Sequence, residues 1–325
     1  MTAVAAAHSP DRDKGSKLVL YAGLAANVLV AITKFVAGSV TGSSAMLSEG
    51  VHSLVDSSNE VLLLYGAHRA TAPPDREHPF GHGREVYFWS FVVSLMMFAL
   101  GAGVSVYEGV RHFRDPEPVE DPLVNYVVLA VAGLFEAGSW WVSLREFRRR
   151  KGDRGYLQAA EETKDPSVLI VLFENSADLI GIALAAAGIA ASTLLDDGRW
   201  DALASIAIGV LLAVIAAFLA RETKKLLIGE AARPSVVESV ARLARGQSGV
   251  GRYNGMLSIQ LAPREVVVAI SLDFEDRLRA SEVQGVIAQL EARIREEHPE
   301  IVMVLVKPQS PDAYRKAHQR WMNGP

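Results

Sequence analysis

Residues 45–67 read AMLSEGVHSLVDSSNEVLLLYGA and residues 168–192 read VLIVLFENSADLIGIALAAAGIAAS. Each stretch reaches the roughly 20 residues that a membrane-crossing helix needs. Each also carries a polar pair four residues apart, His52 with Asp56 and Glu174 with Asp178. At that spacing both side chains of a pair leave one face of a helix, one turn apart. Two such helices meeting face to face present one imidazole and three carboxylates to a common point. A charged residue at the bilayer centre costs at least roughly 2.5–3.5 kcal/mol, so four titratable groups imply ions, protons or water that offset the cost. The pairs form a candidate cation site and point towards transport.

Working outward, four more apolar windows of spanning length occur at 18–40, 86–110, 123–144 and 200–220, making six in all. The last third of the chain has an ordinary soluble pattern. Residues 1–17 mix charges with small residues and lack the apolar core and cleavage site of a signal peptide, which predicts a short disordered cytosolic tail. Basic residues gather in that tail (Arg12, Lys14, Lys17), after the second window (Arg69, Arg76, Arg84) and after the fourth (Arg145, Arg148, Arg149, Arg150, Lys151, Arg154). Excess Lys and Arg marks cytoplasmic loops, so six spans put both termini in the cytoplasm. The chain has no cysteine, which excludes disulfides, thiolate zinc sites and cysteine nucleophiles. A net charge of −4 argues against nucleic acid as a partner.

Residues 221–230 continue the sixth window as a charged helical extension. A helix follows at 235–245, with Val236, Val237, Val240 and Leu243 on its apolar side and Ser235 as cap. Runs 256–261 and 266–274 are rich in strand formers and flank the turn signal Ala262-Pro263-Arg264. A helix at 281–297 and a strand at 301–306 complete an α-β-β-α-β order with both helices on one face of a small sheet. The expected domains are therefore the tail 1–17, a transmembrane transport domain 18–230, a cytosolic α+β domain 231–310 and a C-terminal tail 311–325.

The donor set suits zinc, and its three carboxylates lean further towards manganese or iron(II) than an imidazole-rich site does. These ligands bind metal only when deprotonated, so metal and protons compete for one site and a cycle of inward and outward openings couples cation export to proton import. No G-x-x-x-x-G-K-[ST] phosphate loop occurs, which argues against a nucleotide-driven pump. An intramembrane metallohydrolase is a remote alternative, since no H-E-x-x-H occurs; a metal-sensing membrane scaffold is another. Lys34 and Glu136 lie at membrane depth, either in an ion pair or snorkelling, or in the ion path. Asn27, Asn59 and Asn175 either line that path or tie helices together.

The stretch Ser48-Glu49-Gly50-Val51-His52-Ser53-Leu54-Val55-Asp56 and the loop Asp75-Arg76-Glu77-His78-Pro79-Phe80-Gly81-His82-Gly83-Arg84, with its D-x-x-H-x-F-G-H-G signature, resemble the cation diffusion facilitator family of zinc-transporter-like secondary exporters. The resemblance covers nearly the whole chain. It implies a homodimer, a four-ligand transport site on the second and fifth spans, and a ferredoxin-like cytosolic domain; the expected location is the cell (inner) membrane. Carried over by position, His52, Asp56 and Asp178 match the family's ligands, while Glu174 stands where many zinc exporters have His or Asp. A subset of the family shares that Glu. The resemblance thus implies a divalent cation/proton antiporter that is not an enzyme and needs no cofactor. Its cargo is zinc, with iron(II), manganese or cobalt as the alternative. Asp75 and His82, with His78 nearby, resemble a pair that holds a second cation in some relatives; a polar loop that orders the dimer or feeds ions inward is the other reading. Arg84 and Glu230 match a cytosolic charge lock between the third and sixth spans. His298 is the one histidine between Ala231 and Pro308, too few for the binuclear cluster of zinc-loaded relatives, and reads as a helix cap.

Overall fold

A computed structural model describes residues 27–116, 119, 121–153 and 155–323. The expected tail 1–17, residues 18–26 of the first window, and Arg154 lie outside them. The chain forms two compact units, neither continuous in sequence. The described residues up to Gly66, Trp89–Tyr156 and Pro166–Glu222 make the first. Ala67–Phe88, Leu157–Asp165 and the chain from Thr223 onward make the second.

The helices of the first part of the chain are α1 (Asn27–Thr41), α2 (Ser44–Arg69), α3 (Glu85–Arg114), α4 (Pro122–Lys151), the short α5 (Tyr156–Glu162), α6 (Pro166–Leu195) and α7 (Arg199–Ile228). Among the described residues α3, α4, α6 and α7 are long and apolar enough to cross a membrane. α2 has the length, 26 residues, but carries Glu49, His52, Asp56 and Glu60 within it. α1 is apolar, and its described part is short. The charged extension expected at 221–230 is helical to Ile228, and α3 contains a π segment at Met97–Ala102.

Glycine lets α1 and α2 approach closely, since a Cβ at Gly50 would lie 2.9 Å from the backbone nitrogen of Phe35. Small residues at such crossings are the usual means of close packing between apolar helices. α4 and α6 are tied by Trp140 Nε1 donating to Ser176 Oγ at 3.0 Å and Asn175 Nδ2 donating to Ser143 Oγ at 2.9 Å. α2 is held to α7 at its start. The buried Asp201 carboxylate accepts from Ser44 N at 2.6 Å, Ala45 N at 3.1 Å, Ser43 Oγ at 2.7 Å and Ser44 Oγ at 2.8 Å. A carboxylate borrowed from another helix thus satisfies donors that an α-helix leaves open at its N-terminus. One turn further, Ser48 and Ser205 share a 2.5 Å hydrogen bond.

The second unit contains α8 (Pro234–Arg245), β1 (Val250–Ala262), β2 (Glu265–Phe274), α9 (Ala280–Glu297), β3 (Ile301–Pro308) and α10 (Pro311–Met322). The sheet order is β1-β2-β3, with β1 antiparallel and β3 parallel to β2. Val266, Val268, Ile270 and Leu272 alternate along β2 and share one core with Val236 and Val240 of α8 and with Leu290 and Ile294 of α9. Alternate residues of a strand face one side, so both helices cover the same face.

Three boundaries differ from the sequence expectation. Ser235 is not the cap of α8: Arg233 holds that position and Pro234, which lacks an N–H to satisfy, opens the helix. β1 begins at Val250 rather than 256, a stretch whose Gly251, Asn254 and Gly255 disguise a strand with two register shifts. Residues expected as a tail from 311 form α10, started by Ser310, whose hydroxyl accepts from Ala313 N at 3.4 Å. Its Tyr314 lies over Gly255, where any Cβ would collide with the phenol.

Candidate metal centre

α2 and α6 bring three of the four expected ligands together. His52 Nε2 lies 3.3 Å from Asp56 Oδ2, and His52 Nδ1 lies 3.6 Å from Asp178 Oδ1. One ligand atom from each of the three falls within 4.8 Å of the others. His52 is fully buried and Asp178 is 3% exposed. Both imidazole nitrogens, both Asp56 carboxylate oxygens and Asp178 Oδ1 are buried without a hydrogen-bond partner from the protein. Buried polar atoms are normally satisfied, and three side chains with orphaned atoms, each bringing one ligand atom close to the other two, form a donor set suited to a divalent cation.

Glu174 sits one turn before Asp178 and is also buried, but stands outside that triangle. Its Oε1 accepts from Asn59 Nδ2 at 2.7 Å. Of the two roles open to Asn59, it takes the tie between helices. Asp56, Glu174 and Asp178 line a cavity of about 980 Å³, which Glu60 of α2 and Glu136 of α4 also reach. Asn27 and Asn175 line it as well, Asn27 Nδ2 donating to Glu60 Oε2 at 3.3 Å.

Lys34 neither snorkels nor takes Glu136 as its hydrogen-bonded partner. Its ammonium donates to Glu49 Oε2 at 3.0 Å and to Ser53 Oγ at 2.8 Å, with Lys34 and Glu49 fully buried. Glu49 was visible in the sequence only as one residue of the motif before His52. The signal that could have exposed it was a second carboxylate three residues before His52, at the same depth as an unexplained lysine.

In the loop after α2, Asp75 Oδ2 lies 3.0 Å from His82 Nε2 and Asp75 Oδ1 lies 3.4 Å from His78 Nδ1. The two imidazoles are 4.3 Å apart between centroids, and the three side chains form a second group with metal-ligand spacing. Asp75 is half-exposed and already well served, accepting from Glu77 N at 2.8 Å and His78 N at 2.6 Å. The His78 N–H, followed by the His82 ring, lowers its carboxyl to about 2.

The expected lock between Arg84 and Glu230 is replaced by another pair. Glu230 Oε2 lies 2.9 Å from Lys164 Nζ, which comes from the segment before α6, and Arg84 Nε is buried without a hydrogen-bond partner. Tyr87 holds the Lys164 backbone, its phenol donating to Lys164 O at 3.2 Å. His298 is the C-cap of α9, its N–H bonded to Ile294 O at 2.8 Å, and joins neither ligand group.

The model of one protein family, described as the cation efflux transmembrane domain, matches residues 20–228. The chain is 30% identical over 267 residues to the mouse (Mus musculus) protein named proton-coupled zinc antiporter SLC30A9, mitochondrial, covering 82% of this chain and 47% of that protein. It is 27% identical over 271 residues to metal tolerance protein C4 of Arabidopsis thaliana, covering 82% and 59%. It is 27% identical over 287 residues to the cation-efflux pump FieF of Cronobacter sakazakii, covering 87% and 90%. The chain spans about half the length of the mouse relative and nearly all of the bacterial one.

Proposed function

This chain belongs to the cation efflux, or cation diffusion facilitator, family, and we propose that it is a divalent metal cation/proton antiporter that exports zinc or a similar first-row metal from the cytoplasm. It is a membrane protein. In this reading it is a secondary active transporter and not an enzyme, and it crosses the membrane six times, α1 and α2 joining the four apolar helices. Both termini are cytoplasmic and the membrane is the cell membrane. The transport domain covers 18–230, and the ferredoxin-like domain 231–310 joins two copies as a homodimer. Leu257 and Leu305, each 51% exposed, flank Ala269 in one row across the sheet and offer apolar surface for that contact.

The observation that carries the function is the convergence of His52, Asp56 and Asp178 as buried, unpartnered donors beside a cavity with five carboxylates on its wall. Asp56, Glu174 and Asp178 with His52 are the ligands, and Glu174 completes the set with its second oxygen while Asn59 holds the first. Each must shed its proton to take the cation, so loading expels protons and protonation expels the cation. That competition, with helices alternating between two openings, exchanges metal for protons without ATP. The names of the relatives, a zinc antiporter coupled to protons and a cation-efflux pump, support this reading. Iron(II), manganese or cobalt is the alternative cargo, favoured by the oxygen-rich donor set that Glu174 creates. Asp75, His78 and His82 are a candidate second cation site in the loop.

The test is metal-driven proton flux in proteoliposomes, with each metal presented singly. Asp56→Ala is expected to insert normally and to lose transport; retained metal flux in that variant would refute the ligand assignment.

A further inference from the structure

Two groups beside the metal centre have no place in the cycle above, Lys34 of α1 and Glu49 of α2. Both are fully buried, and burying an ion pair is expensive, since the desolvation of two charges can exceed their attraction. An apolar pair of the same volume would join α1 to α2 at lower cost, so a mere tie between the helices does not account for the charges.

Their position does. Glu49, Ser53, Asp56 and Glu60 follow one another at spacings of four, three and four residues, a single face of α2. Lys34 donates to the first two of these, and Ser53 and Asp56 line the cavity. Glu49 offers its second oxygen elsewhere: Oε1 is buried without a hydrogen-bond partner and points at α6, where a Cβ on Gly181 would collide with it. Gly181 is one turn beyond Asp178, and Glu49 one turn before His52. Glu49 therefore lies between the same two helices as the ligands, a carboxylate with one oxygen neutralised and one free.

We propose that Lys34 is a tethered cation that holds Glu49 out of the ligand set, so that this pair sets the affinity of the neighbouring metal site. The proposal rests on the assignment of His52, Asp56, Glu174 and Asp178 as ligands. With Lys34 in place the pair contributes no net charge. Without it, Glu49 adds a full negative charge one turn from His52, and the site holds its cation more tightly and releases it more slowly. Without Glu49, the ammonium alone repels an incoming cation. Lys34 and Glu49 are thus positioning residues that tune release, and neither touches the metal.

The experiment measures Zn²⁺ binding and Zn²⁺/proton exchange by the purified full chain, and repeats both with Mn²⁺ alone. Lys34→Met is expected to lower the dissociation constant and Glu49→Gln to raise it, each by about tenfold, within the usual size of a coupling between sites. Lys34→Met/Glu49→Gln is expected to return to near the wild-type value. Lys34→Met should also slow turnover at saturating metal. Should that variant not fold, Glu49→Gln and the double variant carry the test, since adding Lys34→Met must then restore affinity. Weakening by both single variants, the outcome of a purely structural pair, overturns the proposal, as does an unchanged affinity in all three. Wild-type protein that neither binds nor moves metal overturns the ligand assignment itself, a failure visible before any variant is made.

Discussion

Asn59 Nδ2 donates to Glu174 Oε1 over 2.7 Å, joining α2 to α6 through the one expected ligand that stands apart from His52. Under the proposed function, the amide fixes the orientation of a carboxylate whose second oxygen binds the cation. Partners of this kind typically contribute 10–100-fold to metal affinity. Asn59→Ala is therefore expected to weaken Zn²⁺ binding by about tenfold, at the low end of that range. Titration calorimetry checks it; an unchanged affinity would mean that Glu174 is oriented by its backbone alone.

The start of α2 gives a prediction about stability. Asp201 accepts four hydrogen bonds from Ser43, Ser44 and Ala45, and is 2% exposed. Asp201→Ala leaves two backbone N–H groups buried without an acceptor, at a cost of about 1–3 kcal/mol each. The loss should lower the melting temperature of the solubilised protein clearly, and Asp201→Asn, which keeps one acceptor oxygen, should lower it less. A melting temperature that stays put in Asp201→Ala would show that the neighbouring hydroxyls replace the cap.

These two contacts also mark where the sequence stops being readable. The candidate pairs were legible because a spacing of four on a helix has one geometric meaning; His52 and Asp56 meet as that spacing requires, whereas of the second pair Asp178 joins them and Glu174 stands apart. Asn59 and Glu174 are 115 residues apart, and Ser44 and Asp201 are 157 apart. No local pattern pairs a carboxylate with a donor at such a distance. Lys34 stood out as a charge in an apolar run, but its partner Glu49 was hidden beside the more conspicuous His52. In the second unit, alternation along β2 was plain, whereas the first residues of β1 contain glycine and asparagine and pair through register shifts.

The loop after α2 predicts a pH dependence. Hydrogen bonds hold the Asp75 carboxyl at about 2, below its ordinary value of 3.8. A depressed carboxylate stabilises the folded loop fully above the unfolded value and loses that contribution as pH falls, here between about 4 and about 2. The carboxyl carbon resonance of Asp75 should titrate near the lower value, and His82→Ala should move its midpoint upward. A midpoint near 3.8 in the wild-type chain would show that the loop does not hold Asp75 in this way.

Under the proposed function, Glu174 is the residue that sets the choice of cargo. Carboxylates favour harder ions such as manganese and iron(II), and imidazole favours zinc. Glu174→His turns one imidazole and three carboxylates into two of each. The site accommodates the change because Asn59 Oδ1 is buried without a partner, so an imidazole N–H at position 174 finds an acceptor in the amide that now serves the carboxylate. The zinc-over-manganese ratio, measured by competing the two ions for flux in proteoliposomes, is expected to rise about tenfold, the scale on which ligands and their partners tune such sites. An unchanged ratio with transport intact would place selectivity elsewhere, and the carboxylates of Glu60 and Glu136 on the cavity wall would be the next groups to exchange.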